Sequence, residues 1–168
     1  MKSFDEIPTA EKFMNTHVHT VKSDAKLGEI VAQLLDHHTS NVPVVDDVDG
    51  HPSLVGFISE ADCMEHLSNE LFYGSPAPQL TAAHIMKRHP VCVTPDTNIF
   101  ALVSIFMSHR VRHLPVVEND RLVGIVSRRD ILKELEEVYR ETEAEREAKL
   151  NPPDLKQIIN HRFIVRSR

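Results

Sequence analysis

The sequence predicts a mixed α/β (α+β) fold of two pseudo-twofold-related repeats, each ordered strand-helix-strand-strand-helix, followed by a C-terminal helical extension. The main observation is an internal repeat that aligns Met14 with Met86, a shift of 72 residues, and continues without a gap for over thirty positions. One length change lowers the shift to 68, so that Asp62 aligns with Asp130. The 41% hydrophobic and 26% charged fractions are ordinary for a globular protein.

Both copies predict the same elements in the same order. Residues 18–21 and 91–93 predict the first strand, and apolar residues at helical spacing predict a one-sided helix after Asp24 and after Asp96. Short apolar runs then predict two buried strands, at 42–45 and 54–58 in the first copy and at 114–117 and 122–126 in the second. The four extra residues of the first copy fall in 46–53, whose composition predicts a hairpin loop. A second helix is expected to begin at Ser59 and at Ser127.

These elements divide the chain into two repeats, a linker and a charged tail. The first repeat is predicted at 14–67, the linker at 68–84, the second repeat at 85–135, and a charged helix with a basic C-terminal tail at 136–168. Seven glutamates in 134–150 favour a solvated helix, with a short dimer-forming coil as the alternative. For the tail, packing on the module or on a partner is favoured over nucleic-acid contact.

Composition excludes several classes of function. The net charge of −6, the absence of Trp and the 5% aromatic content argue against nucleic-acid binding. No window is apolar enough for a membrane span or a signal peptide, and Cys63 and Cys92 form no CxxC motif, so a cytoplasmic location is expected. The eleven histidines show no zinc-binding spacing, so no metal site is predicted.

The motif Gly-x-x-Ser-x-x-Asp occurs once in each repeat, at 56–62 and at 124–130. Ser followed by an acid three residues later is typical of a helix capping box. The same helix N-terminus also attracts phosphate, and a carboxylate beside it can accept hydrogen bonds from both hydroxyls of a ribose. The two interpretations are compatible.

The run Arg112-His113-Leu114-Pro115-Val116-Val117, followed by the motif, resembles the signature of CBS domains, which are named for cystathionine β-synthase and occur as pairs called Bateman modules. The first copy resembles it too, through Val42-Pro43-Val44-Val45 and residues 54–62. The resemblance implies a cleft between the repeats that holds adenosine ligands in up to two sites. In such sites the acid holds the ribose, the Ser approaches the phosphate, and neighbouring positions contact the base.

Carried over residue by residue, the resemblance implies two unequal sites. The second site comprises Thr94, Val111, Arg112, His113, Ile125, Ser127, Arg128 and Asp130. The first and weaker site comprises Lys22, Ser40, Phe57, Ser59 and Asp62. Lys22 and Ser40 depart from the binding pattern, and the arginines, Arg112 and Arg128, fall in the second set. We therefore expect the phosphorylated nucleotide in the second site.

The predicted function is a non-enzymatic regulatory module that senses an adenine nucleotide such as AMP, ADP or ATP; S-adenosylmethionine and NAD-type ligands remain open. No cofactor is required, and neither Ser59 nor Ser127 has an evident catalytic base. A homodimer and an unidentified regulated protein are the expected partners. The alternatives are a structural dimerisation protein with vestigial sites and, third, an enzyme acting on a nucleotide.

Overall fold

The computed structural model describes residues 7–73 and 80–150. Six helices lie in these residues: α1 Ala10–Phe13, α2 Leu27–Asp36, α3 Glu60–Tyr73, α4 Ala82–Ile85, α5 Ile99–His109 and α6 Arg128–Leu150. Five strands accompany them: β1 Asn41–Val48, β2 His51–Ser59, β3 Lys87–Arg88, β4 His113–Glu118 and β5 Arg121–Ser127. The mixed α/β class predicted from the sequence is confirmed.

Each repeat is built on an antiparallel hairpin. Strands β1 and β2 pair in the first repeat and β4 and β5 in the second. Both hairpins close through two residues at positive φ, Asp49-Gly50 and Asn119-Asp120, as type I′ turns require. The hairpin predicted over 46–53 is present, but its loop is shorter than expected: the turn is Asp49-Gly50, and the four extra residues lengthen β1 and β2. They continue the pairing as far as Val48 and His51.

The predicted opening strands at 18–21 and 91–93 are each reduced to one parallel bridge, Val21 to Val44 and Val93 to Val116. Proline explains this correction. In a parallel ladder the next hydrogen bond would need the backbone N–H of residue 43 or 115, and both are proline, which has none.

The first helix of each repeat begins three residues beyond the aspartate expected to precede it. The N-cap positions are Lys26 for α2 and Asn98 for α5. The Asn98 side chain accepts a hydrogen bond from the Ala101 N–H at 2.9 Å. Asp96 accepts one from the Thr94 hydroxyl instead of capping the helix.

The two repeats exchange their N-terminal segments. Met14 and α1 pack in the core of the second repeat, and Met86 and α4 in the core of the first. After each short helix the chain pairs with the opposite hairpin: Asn15 bridges Ile125 of β5, and β3 pairs with β2. Each repeat therefore completes the sheet and the core of the other.

The motif glycines allow this exchange. A Cβ on Gly56 would lie 2.2 Å from the Sδ of Met86, and a Cβ on Gly124 would lie 2.8 Å from the Sδ of Met14. Such distances are well inside van der Waals contact, so only glycine lets the exchanged methionine lie against the hairpin.

Residues up to Ile131 form one compact unit, and residues from Leu132 form a second. Within the second unit the structure describes α6 as far as Leu150, which confirms the predicted charged helix; the basic tail, 151–168, lies outside the described residues. The Arg140–Glu136 ion pair, with Nε and Oε1 2.7 Å apart, lies along its surface.

In the segment predicted as a linker, 68–84, α3 continues to Tyr73 and α4 begins at Ala82. Of the helices described, none combines the length and the apolar character needed to cross a bilayer.

Candidate ligand-binding cleft

Two cavities lie where the repeats meet, and each takes residues from both. The larger, about 740 Å³, is called the basic cavity here. It combines the motif of the first repeat with residues 87–91 and the end of α5 from the second. Its polar, charged and aromatic residues include Ser40, Phe57, Ser59, Glu60, Asp62, Lys87, Arg88, His89, His109, Arg110, Arg112 and His113.

The smaller cavity, about 510 Å³, is related to the first by the repeat and is called the histidine cavity. It combines the motif of the second repeat with residues 15–19 and the end of α2 from the first. Its lining is Asn15, His17, Val18, His19, His37, His38, Thr39, Asn41, His113, Ile125, Ser127 and Asp130. No lysine or arginine belongs to this described lining.

Asn41 and His113 line both cavities and occupy equivalent positions at the start of β1 and β4. Asn41 is the buried polar residue of the described part of the chain, and its amide lies 3.5 Å from the Ser40 hydroxyl. Burial lowers the pKa of His113, although Asp130 acts in the opposite direction. At neutral pH the groups that both cavities share, Asn41 and a neutral His113, are therefore polar but uncharged.

In the basic cavity, Asp62 and Ser59 form a reciprocal cap at the start of α3. The Ser59 hydroxyl and backbone N–H donate to Asp62 Oδ2 at 2.5 and 2.8 Å. Lys87 Nζ lies 3.1 Å from the other carboxylate oxygen. Burial opposes the ionisation of Asp62, but the Ser59 hydrogen bonds and Lys87 outweigh it and lower the pKa of the carboxyl. Asp62 is thus an ionised acceptor at neutral pH.

The histidine cavity repeats the cap without the lysine. The Ser127 hydroxyl donates to Asp130 Oδ2 at 2.5 Å, and the Asp130 N–H donates back at 3.2 Å. Asn15 stands where the other cavity has Lys87, and its Oδ1 accepts from the His17 N–H at 3.0 Å. The capping interpretation of the motif is therefore confirmed in both repeats.

The structure divides the sequence-predicted sites differently. Ser40, Phe57, Ser59 and Asp62 lie together in the basic cavity, and Ile125, Ser127 and Asp130 in the histidine cavity. However, Val111 and Arg112, grouped with Asp130 from the sequence, line the cavity of Asp62, and His113 lines both. The reason is the pseudo-twofold arrangement, which brings the motif of one repeat against the helix end of the other.

Three predicted site residues line neither cavity. Lys22 and Thr94 are exposed, and Thr94 bonds Asp96 and Thr97. Arg128 begins α6, and its N–H donates to the Arg112 carbonyl at 2.9 Å.

Sequence reasoning missed both exchanged segments, 15–19 and 87–91, and the helix-end residues His37 and His38 as cavity residues. The repeat alignment contained part of the missing signal, because most of the missed positions align with a residue that lines the other cavity, as Asn15 aligns with Lys87. Among the described residues, no three His, Cys, Asp or Glu side chains are grouped so as to hold a metal ion.

The family model of the CBS domain matches residues 10–69 and 82–137, one segment for each repeat. The chain belongs to the CBS-domain family. The two matches begin at the exchanged helices α1 and α4, so the family unit includes the segment that each repeat contributes to its neighbour.

Curated relatives resemble this chain over about three quarters of its length. An uncharacterised 17.7 kDa protein of Acidianus ambivalens is 30% identical over 74% of this chain and 71% of its own length. Hypoxic response protein 1 of Mycobacterium tuberculosis is 27% identical over 77% of this chain and 86% of its own length. Inosine-5'-monophosphate dehydrogenase of Methanocaldococcus jannaschii is 28% identical, but this chain spans only 23% of that enzyme.

Solved structures share the fold of the paired CBS domains. The protein CBSX2, solved in complex with AMP, has a TM-score of 0.67 at 25% identity, covering 79% of this chain and 98% of CBSX2; CBSX2 is a CBS-pair protein of Arabidopsis thaliana. A putative acetoin utilization protein of Vibrio cholerae has a TM-score of 0.70 at 22% identity, covering 83% and 99% of the two chains.

Proposed function

We propose that this chain is a regulatory module that binds an adenosine-type ligand in the cleft between its CBS domains. The observation that carries the proposal is the pair of cavities, each with a Ser-Asp cap at a helix N-terminus facing residues of the other repeat. Their volumes lie in the range typical of small-molecule sites, about 300–1,000 Å³. The AMP complex of CBSX2 supports the ligand class.

The basic cavity is the proposed site for a phosphorylated ligand. Ionised Asp62 can accept hydrogen bonds from the ribose hydroxyls, and Phe57 offers an apolar face to the base. Lys87, Arg88, Arg110 and Arg112 supply four basic side chains against the carboxylates of Glu60 and Asp62. This excess of positive charge favours an anionic ligand and reverses our expectation that the site of Asp130 takes the phosphate.

Regulation follows from the shared lining. A ligand in the basic cavity contacts the first repeat through Asp62 and the second through Arg112, so its binding energy depends on how the repeats are positioned. The ligand can shift that arrangement only by its difference in affinity between the two states. A partner protein that distinguishes the states would then be regulated; this partner is not identified.

No catalytic role is proposed for the motif serines. The hydroxyls of Ser59 and Ser127 donate to the aspartates of their own caps, so they serve as capping groups rather than activated nucleophiles. A cytoplasmic setting remains our prediction, and the thiols of Cys63 and Cys92 are both free.

The test is equilibrium calorimetry of purified protein with AMP, ADP, ATP and S-adenosylmethionine, after mass spectrometry of any small molecule that copurifies. Saturable binding of one of these ligands that is weakened by Asp62→Ala supports the proposal. The cap itself can affect folding, so the melting temperature of each variant is measured in parallel. If none of the four ligands binds and none copurifies, the proposal fails.

A structural dimerisation module is the second candidate, and exposed apolar side chains favour it. Helix α3 exposes Met64, Leu71 and Phe72 by 69–83% of their surface. Helix α6, in the other unit, exposes Leu132 and Tyr139 by more than 60%. Exposed apolar groups of this size are typical of interaction surfaces. A dimer that forms without any ligand binding to the cleft would favour this candidate.

A further inference from the structure

Helix α6 carries an apolar stripe that begins where the helix leaves the core of the second repeat. Ile131 is buried in that core. The four large apolar side chains that follow along one side of the helix are 37–65% exposed: Leu132, Leu135, Val138 and Tyr139. Residues three and four positions apart share a helix face, and an apolar face of this width is ordinarily buried against another element.

The helix also continues well beyond the repeats. It ends at Leu150, about 28 Å past Ile131 at the rise of an α-helix, whereas the CBS-domain match ends at residue 137. A helix without tertiary packing is only marginally stable in water at this length, because most helical stability in proteins comes from packing of an apolar face. The exposed stripe is the surface on which such packing would act.

The charge of α6 favours a basic partner for this stripe. Residues 133–150 contain seven glutamates against four lysines and arginines, which leaves three negative charges in excess. Two of the arginines form ion pairs within the helix, Arg140 with Glu136 and Arg146 with Glu143. Because the excess follows from composition, it persists however the side chains of the helix pair among themselves.

The basic tail, 151–168, has the complementary composition. It lies outside the described residues, but its sequence contains four lysines and arginines against one acid, an excess of three positive charges. Apolar residues recur among these charges at the spacing of a helix face: Leu155, Ile158, Ile159 and Phe163. The tail therefore matches α6 both in charge and in having one apolar side.

The connection between the two segments allows the tail to return along α6. Pro152 and Pro153 follow the end of the helix, and proline interrupts helical hydrogen bonding because it has no backbone N–H. A helix over 155–168 would be about 21 Å long, and the length of α6 from Leu150 back to Val138 is about 18 Å. An antiparallel return therefore extends as far as the stripe.

We propose that the basic tail folds back as an amphipathic helix on the apolar stripe of α6, so that the two segments form a helical hairpin that follows the paired repeats. The apolar side of the tail covers Leu135, Val138 and Tyr139, and its arginines face the glutamates of α6. This interaction requires no ligand in the cleft, so it stands or fails separately from the proposed function.

Amide hydrogen exchange of the full chain, measured by mass spectrometry at two protein concentrations, tests the proposal. We expect slow exchange in 132–141 that is the same at both concentrations. Ile159→Asp combined with Phe163→Asp should speed this exchange at least about tenfold, the factor that burial of one large apolar side chain provides. Exchange in the repeat cores, 27–34 and 99–106, should not change, which shows that the variant remains folded.

A charge exchange identifies the surface on which the tail lies. Arg162→Glu combined with Arg166→Glu should also speed exchange in 132–141. Adding Glu137→Arg and Glu145→Arg, both on exposed positions of α6, should slow it again. The matched control, Arg162→Lys combined with Arg166→Lys, keeps the charges and should exchange like the unmodified chain.

Exchange in 132–141 that neither the aspartate nor the glutamate variants change would overturn the inference. Protection that rises with protein concentration and survives these variants would also overturn it, because the stripe would then be covered by a second copy of the chain. A change in α3 instead of α6 would show that the tail docks elsewhere, with the same consequence. None of these results bears on adenosine binding, which calorimetry of the cleft tests by itself.

Discussion

Replacing Arg112 by alanine should weaken the binding of AMP about tenfold. Arg112 lines the basic cavity and is the arginine that the sequence placed with Asp130 instead. A charge-assisted hydrogen bond contributes about 1.5–3 kcal/mol. Because Arg112 is exposed and three other cations line the same cavity, the lower limit applies, and about 1.4 kcal/mol corresponds to a tenfold change in affinity.

The assay is calorimetric titration at neutral pH with AMP and, in parallel, with adenosine. Adenosine has no phosphate, so Arg112→Ala should leave its affinity nearly unchanged. The matched control is Arg128→Ala, which removes an exposed arginine from the same neighbourhood that lines neither cavity. Higher salt should reduce the difference between wild type and Arg112→Ala, because exposed charges are screened.

The aspartate variants test which cavity is involved. Asp62→Ala should weaken AMP and adenosine alike at the tight site, since it removes the proposed ribose acceptor, whereas Asp130→Ala should leave that site intact at neutral pH. Loss of the tight phase in Asp130→Ala with its retention in Asp62→Ala would refute the assignment. An equal loss of AMP affinity in Arg128→Ala and Arg112→Ala would show that general charge, not the cavity, determines binding.

Three further predictions concern the fold and the assembly. Gly56→Ala and Gly124→Ala should each lower the free energy of unfolding by about 1–3 kcal/mol through overpacking against methionine, whereas Gly28→Ala, with open space around it, should not; denaturant titration that finds all three equal contradicts this. Light scattering should give twice the 19.1 kDa chain mass, and a monomer at micromolar concentration would oppose the homodimer. The melting temperature should be unchanged by chelator or reductant, because no zinc or disulfide is expected, and a large shift in melting temperature would refute this. Burial raises the pKa of the Cys63 thiol to about 11 and also raises that of the Cys92 thiol, so both thiols should react slowly with thiol reagents.

Local patterns predicted most of the elements because their causes are local. The apolar spacing of 27–35 and 99–107 is sufficient to identify α2 and α5, and Ser59 and Ser127 mark the starts of α3 and α6 by capping chemistry. The short first strand was overestimated because its length depends on whether the partner strand can donate. Pro43 and Pro115, which limit the strand, can be read from the sequence, but the segment that pairs with them cannot.

Which residues line the same cavity depends on contacts between segments that are far apart in the sequence, and no local pattern encodes those contacts. Arg112 and Asp130 are close in sequence and belong to the same repeat, so they were grouped; the pseudo-twofold arrangement places them in different cavities. The same arrangement concealed the five clustered histidines, which are spread from His17 to His113. Their collection into one cavity results from the exchange of the N-terminal segments.

That exchange also bears on how a chain of this kind originates. A single repeat standing alone would carry an N-terminal helix and methionine suited to another copy's sheet, and would lack the methionine that its own glycine accommodates. An ancestral half-length protein would therefore be complete only as an intertwined pair of identical chains. Gene fusion of such a pair removes the requirement for identity, and each half is then free to acquire substitutions alone. Arginine at position 110 and histidine at its counterpart, position 38, are divergence of the kind that fusion permits.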